Sequence, residues 1–115
     1  YLDLTGSVLA DADRIRDVAA GLEGLRVLGD GRFHLVAIAA DPRAADPVDV
    51  FAVADALEER GWYIDRQGPP DAIHLTVSNT NAGHVDEFVA ALGESVSAAR
   101  GRQTGDRTTS YSTID

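Results

Sequence analysis

Residues 73–92 read IHLTVSNTNAGHVDEFVAAL: an apolar strand, a polar turn, then an amphipathic helix. One residue breaks that plan. His74 stands in the strand between Ile73 and Leu75. Alternate side chains of a strand share a face. Ile73, Leu75 and Val77 therefore line one side, and Ala72, His74 and Thr76 the other, which is small and polar. A face of that kind suits solvent, a polar contact with a helix, or a site built with another domain. Beyond the strand, Asn81 is a candidate helix cap. Val85, Phe88, Val89, Leu92 and Val96 then recur as one helical stripe.

Upstream the same patterns alternate. Leu4, Val8, Ala12, Ile15, Ala19 and Leu22 form the stripe of a first helix, with Asp3, Asp11, Asp13, Arg14 and Asp17 off it and Gly21 and Gly24 at its end. Residues 25–28 (LRVL) predict a strand, and GDGR at 29–32 has the composition of a hairpin turn. Residues 33–39 (FHLVAIA) are almost continuously apolar, as in a strand covered on both faces. Asp46 followed by Pro47 predicts the start of a second helix. Its apolar face would be Val50, Phe51, Ala54 and Leu57, and Gly61 would stop it. Residues 62–66 (WYIDR) alternate as a strand, and QGPPD breaks it. The expected fold class is α+β. It is a small domain in the order helix-strand-strand-helix-strand-strand-helix, with a mostly antiparallel four-stranded sheet covered by helices.

The chain of 115 residues is long enough for one domain with a modest core. Its net charge of −9 argues against nucleic acid or an anionic membrane surface as partner. No apolar run approaches the roughly 20 residues of a membrane span. There is no cysteine, which excludes disulfides, thiolate zinc sites and cysteine nucleophiles. There is no methionine, and all ten basic residues are arginine. A mechanism that needs a lysine amine is therefore incomplete within this chain.

Candidate chemistry is sparse. His34, His74 and His84 lack the tight spacing of metal ligands, so no metal site is assigned. His34 reads as a satisfied strand histidine and His84 as an exposed first-turn residue. Asp55, Glu58, Glu59, Asp86 and Glu87 read as solvated charges on helix faces. No nucleophile elbow, phosphate loop or dinucleotide fingerprint is present.

GWYIDRQGPPD at 61–71, followed by AIHLTVSNTNAGHVDEFVAALGESV at 72–96, resembles the C-terminal small domain of fold type I pyridoxal-phosphate enzymes. Within the group II decarboxylase family it most resembles the sphingosine-1-phosphate lyase branch. That branch has a Gly-Trp opening a strand, a Gln-x-Pro-like loop and then Ile-His-apolar. These correspond here to Gly61 and Trp62, residues 67–70, and Ile73, His74 and Leu75. YLDLTGSVLADADRIRD, LRVLGD, FHLVAIA and VDVFAVADALEERGW match the same plan, so the resemblance covers residues 1–97.

The resemblance implies that residues 1–99 are the C-terminal small domain of a longer enzyme and 100–115 a polar tail. That would account for the missing methionine, the helical start and the absent lysine. It implies a pyridoxal-phosphate-dependent carbon–carbon lyase or decarboxylase acting on a small-molecule amine, cytoplasmic and homodimeric. The cofactor would be bound by the large domain, and the fragment itself would be inactive. The family's cofactor-binding lysine, its pyridine-nitrogen aspartate and its ring-stacking histidine have no counterparts here, so no catalytic or cofactor-binding residue is assigned. His74 is the substrate-facing candidate. Many decarboxylases and aminotransferases of this fold carry arginine at the matching position, facing a carboxylate. Histidine replaces that fork poorly and fits cleavage of a phosphorylated amino alcohol better. The other reading is a free-standing ferredoxin-like small-molecule-binding or regulatory module.

Overall fold

The computed structural model describes residues 6–29, 35–76 and 84–102. The elements are α1 (Gly6–Gly21), β1 (Leu25–Leu28), β2 (Leu35–Ala40), α2 (Val50–Glu59), β3 (Asp65–Gln67), β4 (Ala72–Thr76) and α3 (Val85–Ala99). Both the α+β class and the element order are as the sequence predicts. The sheet runs β1-β2-β4-β3 and is antiparallel throughout. β2 and β3 flank β4 and are joined through α2, a split arrangement. Apart from α1, it is a circularly permuted ferredoxin-like layout.

One face of the sheet builds the core. Leu25, Val36, Ile38 and Ile73 are buried in a single cluster with Ala12, Ile15 and Ala19 of α1, α2 residues such as Phe51 and Leu57, and Phe88, Leu92 and Val96 of α3. Val27, Ala40, Ile64 and Leu75 pack against it from the same side of the strands. The described helices therefore share one face. The expectation that β2 is covered on both faces is corrected in that respect. The second face of β2 carries Leu35, Ala37 and Ala39, and Leu35 is exposed.

α2 is the central helix, packed on α3 to one side and on β2 and β4 to the other. The expected single apolar face is too narrow, because Ala52, Val53 and Ala56 are buried as well. Alanines let neighbours approach on several sides, which a one-stripe pattern does not anticipate. Its cap is Asp49, whose carboxylate accepts from the Phe51 N–H at 2.9 Å. It is not Asp46, because Val48 is drawn into the core ahead of the first turn. Gly61 ends the helix as expected, at φ +90°. Gly61 N–H donates to the Glu58 carbonyl and Trp62 N–H to that of Leu57, the double closure of a Schellman motif.

Gly24 is required where α1 meets the loop before α2. Its φ is +100°, and an added Cβ would lie 2.9 Å from Val48 Cγ1. β3 begins at Asp65 rather than at Trp62. Trp62 and Ile64 turn inward against the core without pairing, because a ladder needs a partner backbone as well as alternation. Asn81, the expected cap of α3, lies outside the described residues, as does His34. The described cap position is His84, whose side chain makes no capping bond. Asp86 and Glu87 in the first turn favour the positive helix end instead.

Candidate functional site

Residues opposite one another in an antiparallel sheet point to the same side. The register therefore maps the helix-free face. One row crosses it as Arg26, Ala39, Ala72 and Gln67, and the next as Leu28, Ala37, His74 and Asp65. A third places Leu35 opposite Thr76. Ahead of β3, Trp62 and Ile64 pack against the core while Tyr63 between them is 78% exposed.

His74 thus lies near the middle of the face that the described helices leave open, between Ala37 on β2 and Asp65 on β3. It is half-buried. The face changes along its length. Ala39, Ala72 and Gln67 are buried at one end, whereas Leu35, Thr76 and Asp65 are exposed at the other. Ala39 and Ala72 are buried yet lie outside the core cluster, as their position on the second face requires. Gln67 is 7% exposed, and its amide oxygen has no hydrogen-bond partner among the described residues.

The other charged cluster lies on the helix side. Arg66 is 6% exposed in its side chain and lies 5.6 Å over the Phe51 ring. It donates to Asp55 at 2.6 Å, to Glu58 at 3.2 Å and to the Phe51 carbonyl at 3.3 Å. Burial opposes its charge, and the hydrogen bonds and charges of Asp55 and Glu58 outweigh it, so the guanidinium pKa is raised above its ordinary value. Asp55 and Glu58 are therefore partners of a buried cation, a correction to their reading as solvated charges. Periodicity places carboxylates on a helix but is blind to an arginine arriving from an edge strand. Asp86 pairs with Arg14, and His84 Nδ1 lies 2.7 Å from Glu87, all on exposed surface.

Among the described residues no three metal-ligating side chains converge, and no helix is long and apolar enough to cross a membrane. Two surface recesses of about 370 Å³ each lie at the end of α1 and beside residues 47–49, and His74 lines neither. The first is bordered by the carbonyl end of α1, Glu23 and Asp41 as well as Arg43, a mixed lining with no evident ligand chemistry.

No family model matches the chain. The sphingosine-1-phosphate lyase of rice is 26% identical over 100 residues, 87% of this chain and 18% of that protein. The enzyme of the same name from Drosophila melanogaster is 26% identical over 92 residues. The solved structure of a Burkholderia pseudomallei sphingosine-1-phosphate lyase superposes with a TM-score of 0.72 at 29% identity, covering 82% of this chain and 20% of that one. A Lactobacillus brevis glutamate decarboxylase superposes at 0.69 with 14% identity, a likeness of fold. The resemblance seen in the sequence is borne out, and the chain is similar to one part of an enzyme family. It spans 18% of the length of the curated plant relatives it matches. The sheet order suits a ferredoxin-like module equally well, but none of these relatives is one.

Proposed function

We propose that the chain is the C-terminal small domain of a pyridoxal-phosphate-dependent carbon–carbon lyase or decarboxylase of the sphingosine-1-phosphate lyase type. The observation that carries this reading is the likeness to the Burkholderia pseudomallei lyase, in sequence and fold together, over 82% of the chain. The enzyme is taken to be cytoplasmic and homodimeric.

The residues here do not fit a cofactor site of their own. The chain has no lysine to hold pyridoxal phosphate and no phosphate-cradling loop. The cofactor belongs to the rest of the enzyme, where it supplies the electron sink for the bond being broken. This domain contributes surface and substrate contact. His74 is the residue assigned to face the substrate. It stands on the one sheet face that the described helices leave uncovered, on the inner strand β4. An imidazole offers one or two ring nitrogens instead of the planar fork that clamps a carboxylate. The site therefore suits a phosphorylated amino alcohol better than an amino acid.

The test is an assay of the longer gene product with both substrate classes. Cleavage of a phosphorylated long-chain amino alcohol to an aldehyde and phosphoethanolamine is expected. Replacing His74 by Ala should lower kcat/KM while leaving thermal unfolding nearly unchanged. A gene product that binds no pyridoxal phosphate and turns over neither class would overturn the reading.

A further inference from the structure

Two polar residues stand opposite each other on the side of the sheet that the described helices leave open. The register pairs His74 on β4 with Asp65 on β3. Residues opposed in this way have Cβ atoms roughly 4.5–5.5 Å apart on the same side of the sheet, close enough for longer side chains to meet. The other neighbours of His74 offer less. Ala37 stands opposite on β2, and Ala72 precedes it by two residues on β4. Gln67 is diagonal to it, in the row that also carries Arg26 beyond β2. Asp65 is therefore the one charged group in the His74 row among the described residues. His74 is half-buried and Asp65 exposed. Neither makes a hydrogen bond or ion pair with another described residue.

We propose that Asp65 is the positioning residue for His74: its carboxylate accepts from one ring N–H and so turns the second ring nitrogen to the substrate. This rests on the lyase reading above and on His74 as the substrate-facing residue. The hydrogen bond made by one nitrogen of a histidine decides which of the two carries the proton. In the neutral ring the nitrogen left over is an acceptor. It suits the hydroxyl or ammonium group of an amino alcohol and cannot serve a carboxylate. Hydrogen bonds of this kind commonly close only when substrate is in place, and they strengthen as water leaves. Gln67 is the poorer partner, because it is neutral, diagonal to the ring and itself buried.

The experiment is a kinetic cycle on the full-length protein with pyridoxal phosphate and a phosphorylated long-chain amino alcohol. Asp65→Ala is expected to raise KM roughly tenfold, the worth of a hydrogen bond to a charged group. Turnover should stay within about twofold, as for a lost binding contact. Asp65→Asn, which keeps an acceptor oxygen in place, should recover most of the loss. Added to His74→Ala, Asp65→Ala should cost nothing further, because its effect passes through the ring. An equal loss in both backgrounds overturns the proposal, as does an unchanged KM in Asp65→Ala. A loss seen in Gln67→Ala but not in Asp65→Ala overturns it in favour of Gln67. A second readout needs no turnover. In protein labelled with 15N-histidine at alkaline pH, the His74 ring should show one tautomer, and both in Asp65→Ala. Mixed tautomers in the unaltered protein overturn the proposal and leave the lyase reading standing. A gene product that binds no pyridoxal phosphate removes the lyase reading itself, whatever the ring spectrum shows.

Discussion

The two faces of the sheet follow different rules. On the helix side, Ile38 and Ile73 meet Phe51, Leu57 and Leu92 in a cluster with almost no exposure, and the buried cation Arg66 has its carboxylates. On the other side the inner strands present alanines, a histidine and the exposed Leu35, and the buried oxygen of Gln67 has no partner among the described residues. The first face is filled by the chain's own helices, although the buried Ser95 hydroxyl on α3 has no partner among the described residues. The second is poor in charge and free of described helices. Stability should therefore reside on one side and function on the other.

The largest test of that division is Phe51→Ala. Removing this ring should cost about 3–5 kcal/mol in denaturant unfolding. A loss below about 1 kcal/mol would mean that the helix side is not the stabilising one. Next is Arg66→Ala. It uncovers the Phe51 ring and leaves Asp55 and Glu58 facing each other, for about 3 kcal/mol. A double-mutant cycle with Asp55→Ala sharpens the point, since a coupling near zero would show the ion pair to be decorative. Asp49→Ala should cost about 1 kcal/mol through loss of the α2 cap, seen as a lowered Tm. The smallest stability effect is at His74. His74→Ala should change unfolding by no more than about 0.5 kcal/mol, while the full-length enzyme loses kcat/KM. A destabilisation like that of Phe51→Ala would move His74 to the structural side of the comparison.

Much of the helix side was legible in the sequence, because burial there follows period. Ala12, Ile15 and Ala19 repeat at helical spacing, and Phe88, Leu92 and Val96 do the same. The strand at residues 72–76 and the glycine stop at Gly61 were equally readable. What escaped depends on contacts between distant segments. Arg66 meets Asp55 and Glu58 only because its side chain leaves β3 on the helix side of the sheet and reaches α2. The cap at Asp49 is chosen by the burial of Val48, whereas Asp46 looked equally suitable from its neighbour Pro47. His74 was legible as an oddity from its strand alone. Its setting required the register, which brings Asp65 and Ala37 to either side and places Leu35 opposite Thr76 at one end. The long apolar run of β2 suggested cover on both faces, whereas the described helices cover only one.

The central claim is that this domain works as part of a larger pyridoxal-phosphate enzyme. Its most direct test is the intact mass of the native polypeptide, read together with the coding sequence upstream of Tyr1. The account predicts a mass several times the 12.2 kDa of these 115 residues and an upstream lysine that holds pyridoxal phosphate. A native protein near 12.2 kDa would contradict it.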